Sequence, residues 1–307
     1  MYDALNRRSR FKRIPSGRKI RLQERDFEVF RWLYRYRFLS SDELAVAVQP
    51  TNKKKFIERL GHLYHDGGYI DRPPQQWNSC NARYSSTVYE LAARGRDTLY
   101  ELDEELHRAV PFAGFGKKDI LQFAHAREIV EVLLNIEIGA KKSGNRRFVS
   151  QDEILAKASE RLGKTISRVV LAAGDTATVP DAFFAQEYIN GEKKTYRFYA
   201  LELERTNPLR RSKLDKSSFR KKHVSYSQII MQQTYKQSLG IPNLIVIIAC
   251  NDEKKLRAMI RMAEDHLEPK LRAHFLFRPL PALGGGFVKV GEEWPKHFDT
   301  AVGVRGE

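Results

Sequence analysis

The side chains best suited to chemistry are three carboxylates on two strand-like runs, Asp181 on the first run and Glu202 and Glu204 on the second. The dipeptide Asn190-Gly191 stands between the runs, and Asn-Gly in that position is a strong signal for a β-hairpin. With a four-residue loop that begins at Asn190, the hairpin register places Asp181 directly opposite Glu202. Because side chains alternate between the two faces of a strand, Glu204 lies on the same face as Glu202. The three carboxylates are therefore predicted to converge.

Converging carboxylates favour a bound divalent cation. Directly opposed residues of an antiparallel pair have Cβ atoms ~5 Å apart. Like charges at this distance repel each other unless a cation lies between them, and Mg²⁺ or Mn²⁺ prefers such oxygen ligands. We expect Asp181 and Glu202 to be the metal ligands of a catalytic centre that also contains Glu204, in which the ion polarises a phosphodiester and activates water. The alternative is that Glu202 and Glu204 form the solvent face of an ordinary strand and that the loop has a different length.

A dense basic segment follows the acidic strand directly. Its cations are Arg205, Arg210, Arg211, Lys213, Lys216, Arg220, Lys221 and Lys222. So many cations beside a carboxylate cluster favour a polyanion that crosses the site, with the segment bound to its backbone. The alternative is a solvated loop.

The charge of the whole chain points to the same class of partner. The 307 residues include 54 Lys and Arg against 38 Asp and Glu, a formal net charge of +16. Such an excess favours a polyanion, and double-stranded DNA is the expected partner. No apolar run approaches the ~20 residues that span a bilayer, so no membrane segment is expected. The N-terminus lacks the features of a secretory signal, and we expect a cytoplasmic protein. The two cysteines, Cys80 and Cys250, match no metal-ligand spacing and are interpreted as free thiols.

The N-terminal part of the chain has the element order of a winged helix. Apolar residues at intervals of three and four predict a first helix from Glu24 to Phe38, and Ser40 and Ser41 can cap a short second helix that ends at Val48. A third helix begins after Asn52 and ends at Gly67-Gly68. The runs 69–72 and 87–91 then resemble the two strands of a hairpin. We assign residues 19–110 to a winged-helix DNA-binding domain.

The third helix carries the predicted DNA contacts. The cations on the side opposite its apolar stripe are Lys53, Lys54, Lys55, Arg59 and His62. The candidates for base contacts are Asn52, at the start of the helix, and three of these cations, Lys54, Lys55 and Arg59. The alternative is a small helical domain with a solvated lysine face.

The residues before this domain, 1–18, contain the basic run Arg7–Arg13 ahead of Pro15 and Gly17. We interpret them as a mobile arm. Such an arm either lies on DNA phosphates and in a minor groove or is a solvated tail.

The glycine-containing segment 111–118 is the predicted boundary, and residues 119–283 form the predicted second domain. Its first helix, from 119 to about 139, places His125, Glu128 and Glu131 on neighbouring turns, where they could face a common site. An apolar strand to Cys250, a helix at 252–267 and a strand at 274–277 predict a βαβ unit of an α/β core. The tail 284–307 is uninformative.

These motifs resemble the replication-relaxation group of plasmid and integrative-element proteins, which is similar to the MobC-type relaxases. The matching pieces are the helices from Phe27 to Leu63, His125, Pro180-Asp181-Ala182-Phe183, Leu201 to Thr206 with Pro208, and Lys222 four residues before Tyr226. Together they span roughly residues 20–250. The resemblance implies a winged helix joined to a restriction-endonuclease-like PD-(D/E)xK core, an α+β fold overall.

The resemblance also implies roles for individual residues. Asp181 and Glu202 match the first two positions of the nuclease motif, but Glu204 stands where the motif has lysine. Lys222 is the substitute on a following helix, one turn from Tyr226. Tyr226 is either a covalent nucleophile or, as is more common for a helical tyrosine, a packing or phosphate contact.

Three functions remain open at this point. The first is a plasmid or mobile-element protein that acts in replication or mobilisation and nicks DNA with a metal, as a relaxase does. The second is a non-catalytic replication initiator or transcriptional regulator that uses the nuclease-like core as a DNA-binding scaffold, which Glu204 in place of lysine favours. The third is a site-specific restriction or defence endonuclease.

Overall fold

The computed structural model describes residues 8–78, 85–102, 120–204, 219–250 and 252–279. The fold is mixed α+β. The chain divides into two compact units, residues 1–134 and 135–307. None of the described helices combines the length and the apolar character that a bilayer-spanning segment requires.

Among the residues that the structure describes, the first unit contains four complete α-helices, three short strands and the first part of a fifth α-helix. The elements are α1 Glu24–Tyr36, β1 Leu39–Ser40, α2 Ser41–Val48, α3 Lys53–His62, β2 Ile70–Asp71, β3 Val88–Leu91, α4 Ala93–Leu102 and the beginning of α5 Ile120–Ser143. The strands form an antiparallel sheet in the order β1-β3-β2. The three predicted helices and the predicted hairpin are confirmed.

Capping residues fix the beginnings of the first three helices. The side chain of Asp26 accepts the Gln23 N–H at 2.9 Å at the start of α1. Ser40 and Glu43 form a reciprocal capping box at α2, and Asn52 accepts the Lys55 N–H at 3.0 Å at α3. Each cap satisfies backbone donors that the first turn of a helix leaves without a partner. The apolar faces of the three helices then pack together.

The core of the first unit consists of residues that the helical periodicity selects. Among its least exposed side chains are Phe30, Leu33, Leu39, Leu44, Phe56, Leu60, Leu63 and Ile70. The third helix is shorter than predicted, because α3 ends at His62 and a π-helical turn, Leu63–Gly67, follows it. Gly68 ends this turn with φ +65°, a conformation that glycine adopts without steric cost.

The structure describes residues 8–18 of the predicted mobile arm 1–18, and these residues make contacts with the rest of the first unit. This segment packs against the first unit, and we call residues 8–22 the strap. The Arg8 guanidinium donates to Asp66 at 2.8 Å, and that of Arg13 donates to Asp71 at 2.7 Å. The Ile14 N–H donates to His65 Nδ1 at 3.1 Å. The sequence analysis did not foresee these contacts, because the acidic partners lie more than 50 residues further along the chain.

The second unit is built on a five-stranded sheet. Its elements after α5 are β4 Arg146–Val149, α6 Gln151–Leu162, β5 Leu171–Ala173, β6 Thr176–Thr178, β7 Ala182–Asn190, β8 Lys193–Glu204, α7 Phe219–Gln232, α8 Thr234–Ser238, β9 Ile245–Cys250, α9 Glu253–His266, α10 Pro269–Arg272 and β10 Phe275–Pro279. The strand order is β10-β9-β8-β7-β4. Strands β8, β9 and β10 are parallel, whereas β7 is antiparallel to both β8 and β4.

Helices cover this sheet. Helix α6 packs on β7, and α9 packs on β9 and β10. Helix α7 packs on the small hairpin β5–β6. Strand β9 is buried from Val246 to Cys250, as expected for a strand with neighbours on both edges and helices on its faces. The predicted βαβ unit is confirmed as β9-α9-β10, and Cys250 is a buried free thiol.

The predicted boundary at 111–118 lies outside the described residues, as do Cys80 and the tail 284–307. The division between the two units falls after Leu134, inside α5. Residues 120–134, which the sequence analysis assigned to the second domain, therefore belong to the first unit. Arg127 provides the reason, because its guanidinium donates to Phe38 O at 2.6 Å and to Glu43 at 2.8 Å.

Candidate functional site

The hairpin β7–β8 places Asp181 opposite Glu202, as predicted. Ala182, the first residue of β7, pairs with Leu201. Asp181, which immediately precedes β7, therefore faces Glu202, the next residue of β8. The turn is shorter than the predicted four-residue loop, because Asn190 pairs with Lys193 across Gly191 and Glu192. The register is the same for both loop lengths. Asp181 Oδ2 accepts the Leu203 N–H at 2.8 Å, which fixes this carboxylate beside β8.

Lys222 reaches the carboxylates from the first turns of α7. Its Nζ lies 2.5 Å from Glu202 Oε2 and 3.6 Å from Glu204 Oε1. Contact with both glutamates confirms that they occupy one face of β8. Glu202 is 2% exposed and Glu204 6%, so the alternative in which they form a solvent-facing strand surface is excluded. Lys222 supplies the positive charge that two buried carboxylates require.

Tyr226 lies one turn after Lys222 and donates its hydroxyl to Glu202 Oε1 at 2.6 Å. The side chain is 1% exposed. Burial raises the pKa of Tyr226 well above its ordinary value, and the adjacent charge of Glu202 raises it further. A nucleophilic tyrosine needs an accessible hydroxyl that loses its proton easily. The structure therefore disfavours the interpretation of Tyr226 as a nucleophile and makes it a residue that positions Glu202.

The electrostatics of the cluster follow from burial and charge. Burial raises the pKa of Glu202 to about 7, with a further increase from the charge of Asp181 that the Lys222 ammonium opposes. Burial by itself lowers the pKa of Lys222, but the charges of Glu202 and Asp181 outweigh it, and the pKa of Lys222 is raised. Lys222 is consequently an ammonium ion at neutral pH.

The position of Lys222 affects whether Asp181 and Glu202 can hold the predicted metal ion. In the part of the chain that the structure describes, no group of three or more His, Cys, Asp or Glu side chains is arranged to hold a metal ion. Asp181 and Glu202 do offer the carboxylate oxygens that Mg²⁺ and Mn²⁺ prefer. The Lys222 ammonium, however, occupies the space at Glu202 Oε2 where such an ion would bind. A divalent ion therefore fits these two ligands chemically only when Lys222 is displaced.

The predicted accessory residues His125 and Glu128 belong to the first unit. There Glu128 is 9% exposed and lies near Glu131, whose carboxylate accepts a hydrogen bond from Arg127 at 3.0 Å. Burial raises the pKa of Glu131 to about 7. Glu43, Glu128 and Glu131 form an ionic cluster around Arg127, and the carboxylates at Asp181 and Glu202 belong to the other unit.

The predicted DNA-contact residues of α3 differ in their availability. Asn52 is occupied as the cap of the helix, and Lys53 forms an ion pair with Asp42 at 2.6 Å. Lys54 and Lys55 are exposed, and no described carboxylate pairs with either. They are the members of the predicted set whose charges remain available to a ligand.

The structure gives Arg59, which the sequence analysis predicted as a base contact, a structural role. Its guanidinium donates to Asp26 at 2.6 and 3.1 Å and to the Arg21 carbonyl at 2.7 Å. Asp26 is 1% exposed, so the pair is a structural link between α1 and α3. The sequence contained one signal for this role, since Asp26 interrupts the apolar face of α1.

The second predicted DNA-binding segment is described only at its end. Arg210, Arg211 and Lys213 lie outside the described residues. Arg220 and Lys221 are exposed on the first turn of α7, next to Lys222.

Sequence reasoning missed the residues that hold the strap. Asp66 accepts hydrogen bonds from Arg8 at 2.8 Å, from Ser16 at 2.7 and 2.9 Å, and from His62 at 2.9 Å. Its side chain is inaccessible to solvent. The hydrogen bonds from Arg8 and His62 outweigh the effect of burial and hold the pKa of Asp66 far below its usual range.

Comparison of the chain with protein-family models, with curated proteins and with solved structures gave no match.

Proposed function

We propose that this protein binds double-stranded DNA through its first unit and cleaves a DNA strand in its second unit with Mg²⁺ or Mn²⁺. The observation that carries the proposal is the cluster on β7, β8 and α7. Asp181 faces Glu202, and Lys222 touches Glu202 at 2.5 Å and Glu204 at 3.6 Å. Two carboxylates and a lysine are the residue types with which metal-dependent nucleases activate water beside a phosphodiester.

The residues have distinct proposed roles. Asp181 and Glu202 would hold the metal ion, which would supply polarisation of the phosphodiester when bound. Tyr226 fixes the orientation of Glu202, because its hydroxyl donates to Oε1. The nuclease motif has a lysine at the strand position where this chain has Glu204. Lys222, on the following helix, takes the role of that lysine. Once displaced from Glu202, its ammonium can contact a phosphate oxygen, and Glu204 remains close enough to hold it.

The DNA-binding half of the proposal concerns the first unit. The order α1-β1-α2-α3-β2-β3 supports a winged helix, in which the third helix lies in the major groove. Lys54 and Lys55 supply exposed charge on that helix. The net charge of +16 supports a polyanionic partner. The resemblance to replication-relaxation proteins makes the proposed setting the replication or mobilisation of a plasmid or integrative element.

A nicking assay on supercoiled plasmid tests the catalytic half. Wild-type protein is compared with Asp181→Ala and Glu202→Ala in the presence of Mg²⁺, Mn²⁺ or EDTA. The expected result is metal-dependent conversion to the nicked form by wild type and loss of that conversion in both variants. Glu187→Gln is the control, because this buried glutamate of β7 pairs with Arg147 instead. Nicking that persists in both alanine variants would refute the assignment of the site.

The second candidate function is a non-catalytic DNA-binding scaffold. It is favoured by the contacts of Glu202, both of whose carboxylate oxygens accept hydrogen bonds from α7. Wild-type protein that binds DNA but does not nick plasmids carrying candidate origins in either metal supports the scaffold. Gel-shift binding with the same preparation separates this outcome from inactive protein.

A further inference from the structure

The strap contains two kinds of cation. Arg8 and Arg13 are paired with Asp66 and Asp71 and so contribute to the fold. Arg18, Lys19 and Arg21 are exposed, and no described carboxylate pairs with them. Like charges held close together on a surface repel each other, so such a cluster costs free energy unless an anion binds it. The positive charges of this exposed group are therefore not neutralised by ion pairs with the described carboxylates.

The structure holds these three residues next to α3. Arg59 donates to the Arg21 carbonyl at 2.7 Å, and Arg18 Nη1 lies 3.4 Å from His62 Nε2. Lys55, Arg59 and His62 follow one another at spacings of four and three, so they form one stripe of the helix. The strap consequently runs along the stripe that begins with Lys55. Arg59, which is fixed by its pair with Asp26, holds the strap beside α3 through the Arg21 carbonyl.

We infer that Arg18, Lys19 and Arg21 of the strap join Lys54 and Lys55 of α3 in one surface that contacts DNA phosphates. The inference rests on the proposed binding of DNA and deepens it by naming the contact surface. A strap beside a helix in the major groove reaches the sugar-phosphate backbone that borders the groove, where cations give affinity without sequence selectivity. Glu58, exposed one turn after Lys54, is an acidic residue at this surface and opposes binding.

The test is a titration of a 30-base-pair duplex by fluorescence anisotropy, in EDTA to prevent cleavage, at several salt concentrations. The strap variant is Arg18→Ala, Lys19→Ala, Arg21→Ala. The control variant is Lys164→Ala, Arg168→Ala, Lys254→Ala, which removes three exposed cations of the second unit that no described carboxylate pairs with. Each lost phosphate contact reduces the slope of log K against log salt concentration by ~0.9, so the strap variant is expected to lose a slope of roughly 2 to 3.

The expected pattern is a weaker affinity, by about tenfold or more, in the strap variant and little change in the control. Glu58→Gln is expected to tighten binding, which a general loss of folding cannot imitate. The Arg21 carbonyl that Arg59 contacts remains in every variant. Lys19→Gln with Arg21→Gln also keeps Arg18 beside His62, and it is expected to reproduce part of the loss at an unchanged melting temperature.

The outcomes distinguish the inference from the proposal beneath it. Wild-type protein that does not bind duplex DNA overturns both. Wild-type protein that binds, with a strap variant of equal affinity and slope, overturns the inference alone. An equal loss in the strap and control variants also overturns it, because net charge would then explain the binding without a defined surface.

Discussion

Glu202 is a buried carboxylate whose two oxygens each accept a hydrogen bond from α7, one from Lys222 and one from Tyr226. A hydrogen bond to a charged group stabilises a fold by more than one between neutral groups, because the charge is otherwise left without solvation. The Tyr226 hydroxyl therefore has two consequences. It links α7 to β8 by a hydrogen bond, and it determines which way the carboxylate points.

Removal of this hydroxyl measures the first consequence. Tyr226→Phe is expected to lower the free energy of unfolding by about 1.5–3 kcal/mol, the usual value for a hydrogen bond to a charged group. Denaturant unfolding followed by circular dichroism gives the value. Tyr235→Phe on α8 is the matched control, because this tyrosine is also buried and its hydroxyl has no described partner. Equal destabilisation by both substitutions would contradict the role of the Glu202 contact.

Asp26 is the corresponding residue in the first unit. It holds the Arg59 guanidinium and caps α1 through the Gln23 N–H. Asp26→Asn removes the charge that a mostly buried arginine needs, and we expect a loss of about 2–4 kcal/mol of stability. Glu24→Gln breaks the exposed pair with Arg31 and is expected to cost less than about 1 kcal/mol. Similar melting temperatures for the two variants would show that the Asp26–Arg59 pair does not hold the helices together.

Among the elements, the strap depends on an uncharged histidine. His65 Nδ1 accepts the Ile14 N–H, and a protonated ring loses this acceptor. Burial lowers the pKa of His65 to about 4, and the charges of Arg72 and Arg8 act in the same direction. In the unfolded chain a histidine titrates at about 6.5, so the unfolded state binds more protons between these two values. The stability that neutral His65 contributes is present above pH ~6.5 and is lost as the pH falls toward 4.

His65→Gln isolates this effect, because glutamine offers an acceptor that does not titrate in this range. Melting temperatures are measured from pH 7.5 to pH 4.5 for wild type and variant. The wild-type protein is expected to lose more stability than the variant below pH 6.5, although carboxylates affect both profiles. Parallel profiles would mean that protonation of His65 does not destabilise the folded protein.

Some helices and strands of this protein could be predicted from local sequence signals, and some contacts between them could not. Local signals were sufficient for the hairpin β7–β8, since Asn190-Gly191 and strand alternation fixed the register of Asp181 against Glu202. They were sufficient for α1, α2 and α3, whose caps and apolar spacing are written within a few residues. The sequence analysis placed Lys222 on a helix that packs near the strand. Its contact with Glu202 depends on side-chain packing across two elements, which no local signal shows.

Contacts between distant parts of the chain explain why the sequence analysis missed the contacts of the strap and the Arg59–Asp26 pair. Arg8 and Asp66 are 58 residues apart, and Arg59 and Asp26 are 33 apart. A run of arginines before a proline looks the same in a sequence whether it is solvated or paired. The helix α5 likewise gives no local sign that Arg127 binds Glu43, so the division of the chain inside this helix could not be read from the sequence.

For the whole molecule, the net charge of +16 overstates the charge that a polyanion can use, because many cations are already paired. Lys53 and Lys55 show the difference within one turn of α3: Lys53 is held by Asp42 at 2.6 Å, whereas no described carboxylate pairs with Lys55. Only a cation whose charge is available releases a full counterion from DNA. The two lysines are therefore expected to contribute unequally to binding.

Single substitutions test this expectation in the full chain. Lys55→Ala is expected to reduce the slope of log K against log salt concentration by ~0.9. Lys53→Ala is expected to reduce this slope by clearly less, because the charge of Lys53 is already paired with Asp42. Removal of Lys53 also leaves Asp42 without its ion-pair partner. The additional carboxylate charge acts against DNA, so Lys53→Ala is predicted to weaken binding at low salt with little change in slope. Lys53→Ala together with Asp42→Asn removes the pair and is expected to restore the affinity. A slope change as large for Lys53→Ala as for Lys55→Ala would mean that the Lys53–Asp42 pair opens when DNA binds.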